Sequence, residues 1–230
     1  MMKGRITFRM AVTALLPLLL LLVMSFHYIP KLLHEIIGIA CLLLAGVHVY
    51  QNRQWFKSLG RGRWDLLWVL GTATSLLLIA LMLAAVMAGL GISNYLLKDI
   101  MPLEIQRSIA IHQYHVSLPY ALLILCGLHW GLHWRGWLAQ WKKLVPLSLT
   151  PAIGRIAAVV LGLSVAALGI YGSFLNRVGD RLLMKHIFAT EATSQPGEIY
   201  VLLLMGLLGL YVLIGFLLDY VYRGRKSNNT

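Results

Sequence analysis

The chain has 230 residues, 59% of them apolar and only 12% charged, and 20 Lys and Arg against 8 Asp and Glu give a net charge of +12. A soluble domain carries about 45–50% apolar and about 25% charged residues, so a mean hydropathy of +0.77 excludes a soluble single-domain enzyme, a disordered chain and a disulfide-stapled secreted module. At about 20 residues per crossing, this length allows at most about six or seven membrane helices and no additional soluble domain.

The first apolar run covers residues 10–29 and follows Lys3, Arg5 and Arg9. It is long for a signal-peptide core and lacks an A-x-A site, so an uncleaved span is expected. Further runs follow at 32–50, 66–90, 114–134, 156–175 and 199–218. Each is long enough to cross the hydrocarbon layer. In lipid such segments must be helices, which satisfy their own backbone polar groups. The expected fold is an all-α integral membrane protein, a six-transmembrane-helix bundle. Pro17 and Pro119 lie inside spans and are expected to kink them. Cys41 and Cys126 lie in apolar stretches, form no CxxC or CxxCH motif, and read as small core residues.

Orientation follows from the Lys/Arg bias. With the N-terminus in the cytoplasm, the inner segments hold Lys3, Arg5, Arg9, Arg53, Lys57, Arg61, Arg63, Arg135, Lys142, Lys143, Arg155, Arg223, Arg225 and Lys226. Only Lys31, Lys98, Arg107, Arg177, Arg181 and Lys185 remain outside, and only Asp65 and Asp219 among the acids lie inside. Both termini are therefore expected in the cytoplasm of a bacterial inner membrane. The basic residues sit in loops between spans, which favours a membrane over a nucleic-acid partner. The seven tryptophans fall near the inner interface, as an aromatic belt does.

Eight histidines carry the functional information: His27, His34, His48, His112, His115, His129, His133 and His186. An ionisable residue inside a span is costly and marks a candidate site. His34 and His48 are 14 residues apart in the second span, and His115 and His129 are 14 apart in the fourth. At about 100° per residue, that spacing falls about 40° short of four turns, a gap that modest supercoiling closes. Each pair therefore shares one helix face, with its members about 21 Å apart along the axis. The two spans run in the same direction. His34 then levels with His115, and His48 with His129.

A flat macrocycle fits between each cross-helix pair, its iron taking one imidazole from each side. Ligation also relieves the cost of bare ring nitrogens in hydrocarbon. Two b-type haems with bis-His ligation are expected, with a haem-binding four-helix core at residues 10–140 and two additional helices at 150–222. An internal repeat agrees. A shift of 81 residues carries His34 onto His115, His48 onto His129, and LLLAGVH onto LILCGLH, with Gly46 on Gly127. Each of these glycines is expected to allow close helix packing behind its ligand.

His133 is five turns from His115 and rivals His129 as a ligand, although the repeat aligns it with Asn52. It and His112 otherwise belong near haem propionates or a partner. Arg53, Arg107 and Arg135 are candidate propionate partners, with snorkelling as the plainer reading. Glu35 sits where a quinol would approach. His27 and His186 receive no role. The rival readings are simple interhelical hydrogen bonding, a haem-free metal or proton transporter, and a membrane anchor subunit. Zinc would want an HExxH or a cluster of acids or thiolates, which the sequence lacks. A proton or metal relay would want acids along the histidine path.

The segments HEIIGIACLLLAGVHVYQNRQWF, from His34, and HVSLPYALLILCGLHWGLHW, from His115, resemble the histidine-bearing helices of diheme transmembrane cytochrome b. The closer likeness is to the bacterial flavinylation-associated membrane cytochrome family, over roughly residues 10–140. The resemblance implies non-covalent haem on His34, His48, His115 and His129. It implies electron transfer between the quinone pool or a flavin-bearing protein and another redox partner, as the cytochrome subunit of an oxidoreductase. The chain itself has no GxGxxG, so any flavin belongs to a partner. The last two helices lie outside the likeness and read as scaffold or a docking face.

Overall fold

A computed structural model describes residues 2–61, 64–144, 151–185 and 188–228. Helix α1 spans Met2–Met24. It ends at Ser25, whose hydroxyl donates back to the Leu21 carbonyl at 2.8 Å. A single 3-10 turn, Phe26–Tyr28, and Pro30 lead into α2, Lys31–Gln51. The first apolar run, expected to reach residue 29, therefore stops being α-helical at Met24, because the segment up to Pro30 makes the turn. At the far end of this hairpin Arg9 donates to the Gln51 carbonyl at 3.1 Å and to Asn52 Oδ1 at 2.9 Å.

A short helix, α3 (Gln54–Ser58), precedes α4, Leu66–Gly91. Asp65 caps α4 by accepting from the Trp68 amide at 2.9 Å, which satisfies one of the orphan donors of the first turn. A loop carrying α5 (Leu103–Gln106) leads to α6, Ile109–Leu132, which continues through Pro119. Then come α7 (Trp134–Leu144), α8 (Pro151–Leu175), α9 (Val178–Leu182), a 3-10 turn at Glu191–Ser194, and α10 (Gly197–Asn228). No strand occurs among the described residues.

Among the described residues five helices, α2, α4, α6, α8 and α10, are long and apolar enough to cross a membrane. The apolar stretch of α1, Phe8–Met24, is shorter. By length and composition these helices suggest a multi-pass membrane protein. Their outward faces agree: α8 exposes Val159, Leu163, Ile170 and Phe174, side chains that lipid accepts and water does not.

Helix α10 lies between α6 and α8, while α4 packs on the other side of α6, and α1 packs chiefly on α2. Lipid gives helices no hydrophobic drive to associate, so close contact between small residues must do it. A Cβ on Gly127 would lie 2.7 Å from the Leu208 carbonyl oxygen, and one on Gly215 would lie 2.6 Å from that of Leu128. On the other face of α10, a Cβ on Gly169 would meet the Gly206 carbonyl oxygen at 2.5 Å. These contacts enclose Leu203, Leu204 and Leu207, each at most 2% exposed.

Asp219 of α10 is 1% exposed and pairs at 2.6 Å with both Arg135 and Arg223. A buried carboxylate is tolerable only when it is paired. The pairing ties α10 to the start of α7, where Trp137 stacks on Trp141 at 5.4 Å and Lys142 and Lys143 are exposed. Apolar rings on one side and cations on the other suit a helix lying at an interface.

Candidate functional site

Helices α4 and α6 run antiparallel, so their partners match in reverse order: Gly89 with His115, Ser75 with His129, and Gly71 with His133. Helix α2 brings His34 to the His115 level. The His34 and His115 rings are neighbours, with centroids 5.9 Å apart and planes perpendicular at 89°. His34 Nδ1 lies 3.0 Å from the Val23 carbonyl oxygen, and His115 Nδ1 lies 3.0 Å from that of Ala85. A carbonyl only accepts, so each Nδ1 carries the proton and each neutral ring presents the lone pair of Nε2. This is how proteins orient a ligating histidine. Two imidazoles sharing one metal, with nitrogens about 2 Å from it, have centroids about 6 Å apart. The ring separation is compatible with two imidazoles placed on opposite sides of one metal.

Around the pair lies a cavity of about 390 Å³, lined by residues that include His34, Gly38, His115, Tyr200 and Arg181. A Cβ on Gly38 would meet nothing within 4 Å, so the space beside His34 is open. Gly89 is the reverse case. A Cβ there would lie 2.6 Å from His115 Cε1 and 3.0 Å from its Nδ1. The ring cannot retreat without losing its bond to Ala85. Gly89→Ala should cost about 1–3 kcal/mol through overpacking, read as a lower unfolding temperature in detergent, and should turn His115 away from His34. An unchanged unfolding temperature would show that the ring has room that the geometry denies it.

The second level is built differently. His129 Nδ1 lies 3.3 Å from Ser75 Oγ, whose own proton goes to the Gly71 carbonyl at 2.6 Å. That leaves Ser75 accepting and His129 again presenting Nε2. His133 lies beside it, with ring centroids 4.7 Å apart, and is exposed where His129 is half-buried. His48 lies within electrostatic reach of both, and its Nδ1 is buried without a hydrogen-bond partner. An orphaned ring nitrogen in hydrocarbon calls for a ligand or a bound group. Among the described residues no three His, Cys, Asp or Glu side chains form a metal-binding group. Axial ligation of a macrocycle needs only two.

The remaining sequence candidates fall into place around these levels. His112 bonds its own first turn, Nδ1 lying 3.0 Å from the Ser108 carbonyl oxygen. His27 is exposed, and partial burial together with the Arg181 guanidinium holds it below the ordinary histidine range. His186 lies outside the described residues. Glu35 accepts from Ser93 Oγ at 2.8 Å and from the Asn94 and Leu96 amides at 2.9 Å. It anchors the loop after α4, so its carboxylate is committed to structure. Arg53 folds over the Tyr50 ring at 4.3 Å, and Arg135 pairs with Asp219. Both are engaged away from the cavity. Gly127 packs closely as expected, but Gly46 does not, for a Cβ there would meet nothing within 4 Å. Cys41 and Cys126 are free thiols.

Sequence reasoning missed Gly89, Gly71 and Arg181. Gly71 and Gly89 are 18 residues apart, the same interval as His115 and His133, and that match is visible in the sequence. No protein-family model, curated protein or solved structure matches the chain.

Proposed function

We propose that this protein carries electrons across a membrane through two b-type haems, one between His34 and His115 and one between His48 and His129. The observation that carries this reading is the first pair: two perpendicular imidazoles with centroids 5.9 Å apart, each with Nδ1 on a backbone carbonyl, beside an open cavity. A haem held by two imidazoles supplies one-electron exchange and leaves no coordination position for a substrate. The protein's part is to fix the rings, exclude water and set the potential through burial. Gly89 and Gly38 leave room for the ring and its ligand. Ser75, Val23 and Ala85 hold the tautomers.

In this reading α1 is the sixth span, and both termini face the cytoplasm of a bacterial inner membrane, as the basic segments favour. The two levels lie about 21 Å apart along the helices, enough to reach from one side of a roughly 30 Å hydrocarbon layer toward the other. The partners are the quinone pool or a flavin-bearing protein on one side and a second redox protein on the other, as the resemblance to flavinylation-associated cytochromes implies. The α7 surface is the docking side nearest the His129 level.

The test is electron transfer across vesicles. Purified protein in sealed liposomes loaded with ferricyanide should bleach the trapped oxidant when dithionite or a quinol is added outside. Vesicles carrying His34→Ala should bleach at least tenfold more slowly. Equal rates with and without protein would remove the electron-carrier reading.

A further inference from the structure

Arg181 is 3% exposed and borders the cavity that His34 and His115 share. A guanidinium does not deprotonate in proteins, so its burial is costly unless a counter-charge is present. Among the described residues the ion pairs are those of Asp219 with Arg135 and Arg223, and of Asp180 with Arg177. None of them reaches Arg181. Its neighbours are neutral acceptors: Nε donates to the Asn176 carbonyl at 3.2 Å, and one Nη donates to that of Phe188 at 3.0 Å. The Tyr120 ring lies 4.9 Å away. A guanidinium has five N–H groups in a planar fork, and among the described residues these two carbonyls are its hydrogen-bond acceptors.

The side chain is also held firmly. Asn176 is fully buried, accepts from Tyr120 Oη at 3.0 Å and donates to the Gly172 carbonyl at 2.9 Å. Arg177 takes a left-handed conformation, φ 51° and ψ 44°, to turn the chain into α9. A non-glycine residue enters that region at a cost of about 1–2 kcal/mol, and the turn is what brings Arg181 inward. A buried, charged, preoriented fork on the wall of the cavity that His34 and His115 share is arranged for an anion, since the one carboxylate on that wall among the described residues, Glu35, is spent on Ser93 and the Asn94 and Leu96 amides.

We infer that Arg181 binds a carboxylate of the molecule that fills this cavity. Resting on the diheme reading, that carboxylate is a propionate of the haem between His34 and His115. Arg181 then positions the macrocycle and raises its potential, because a nearby positive charge favours the reduced form. The sequence suggested Arg107 for a propionate at this outer level; Arg181 is a cation that borders the cavity itself.

The test is a redox titration of the haem-loaded protein beside R181Q and R181K. R181Q should lower the midpoint of one haem and leave the other unchanged, and R181K should restore most of the shift. Three identical titrations would overturn the assignment. Arg181 also braces α9, so R181Q can fail by misfolding, and a second measurement uses the native arginine. In His48→Ala protein stripped of its haem, the remaining site should bind protohaem at least tenfold more tightly than its dimethyl ester. Equal affinities would overturn the assignment even if R181Q never folds. Selective tightening by added fatty acid instead of haem would assign the carboxylate to a lipid and overturn the propionate. An unmodified chain that binds neither form of haem would refute the diheme reading itself.

Discussion

If the diheme proposal holds, His115→Ala is expected to halve the haem content of the purified protein, from two per chain to one. The ring makes two contributions that alanine cannot replace: an Nε2 left free to ligate, and the Nδ1 bond of 3.0 Å that holds the ring against the Ala85 carbonyl. His34→Ala should give the same loss, because either imidazole alone leaves the site half-ligated. His129→Ala should remove the other haem and spare the first. His112→Ala is the internal control. That ring is a near neighbour of the same cavity but is turned onto its own helix, so both haems should remain. Haem per chain, measured by extraction against protein concentration, decides the matter. Two haems in His115→Ala would mean that the paired rings are packing groups. Retention of both haems in His129→Ala, with loss of one in His133→Ala, would move the second site onto the exposed ring.

Gly131→Leu should be the most damaging substitution for the fold. A Cβ at Gly131 would overlap the Val212 carbonyl oxygen and lie 2.8 Å from the Phe216 amide nitrogen and 2.9 Å from Gly215 Cα. All three obstacles are backbone, so no side chain can swing aside. Overpacking usually costs about 1–3 kcal/mol, and here the helices α6 and α10 must separate, so the loss should lie at or above that range. The expected result is little or no monodisperse protein after detergent extraction. Gly136→Ala, on the exposed face of α7 with nothing within 4 Å of the added carbon, should instead gain about 0.5–1 kcal/mol from lower chain entropy. Equal thermal stability of the two variants would show that the α6–α10 contact is looser than this geometry.

Much of the helical framework could be read from the sequence, because a bilayer demands long apolar runs and the basic loops break them. The 14-residue histidine intervals also read directly, since a helix converts spacing into azimuth. The brace around those histidines was not legible. Gly89 acts through a helix with no histidine of its own, and a glycine in an apolar run looks the same whether it packs against a helix, a ring or nothing. Gly46 and Gly127 show this: they are equivalent in the repeat, yet α10 crowds only one of them. Helix α10 reads as peripheral because it is apolar on every side and carries no histidine, yet it is the most enclosed helix of the bundle. Arg181 looks like one more basic residue in a loop. Only the left-handed turn at Arg177 and the burial of Asn176 reveal that its charge points inward. Glu35 misleads for the opposite reason. Its place beside His34 suggests chemistry, while its hydrogen bonds go to the loop after α4.

The most direct measurement is the absorption spectrum of the protein purified in mild detergent from haem-replete cells, oxidised and then reduced with dithionite, with haem quantified per chain. The account predicts sharp reduced bands of six-coordinate b-type haem, two haems per chain, and no spectral change with carbon monoxide, because both axial positions are filled. A folded, monodisperse chain with no haem bands would contradict it.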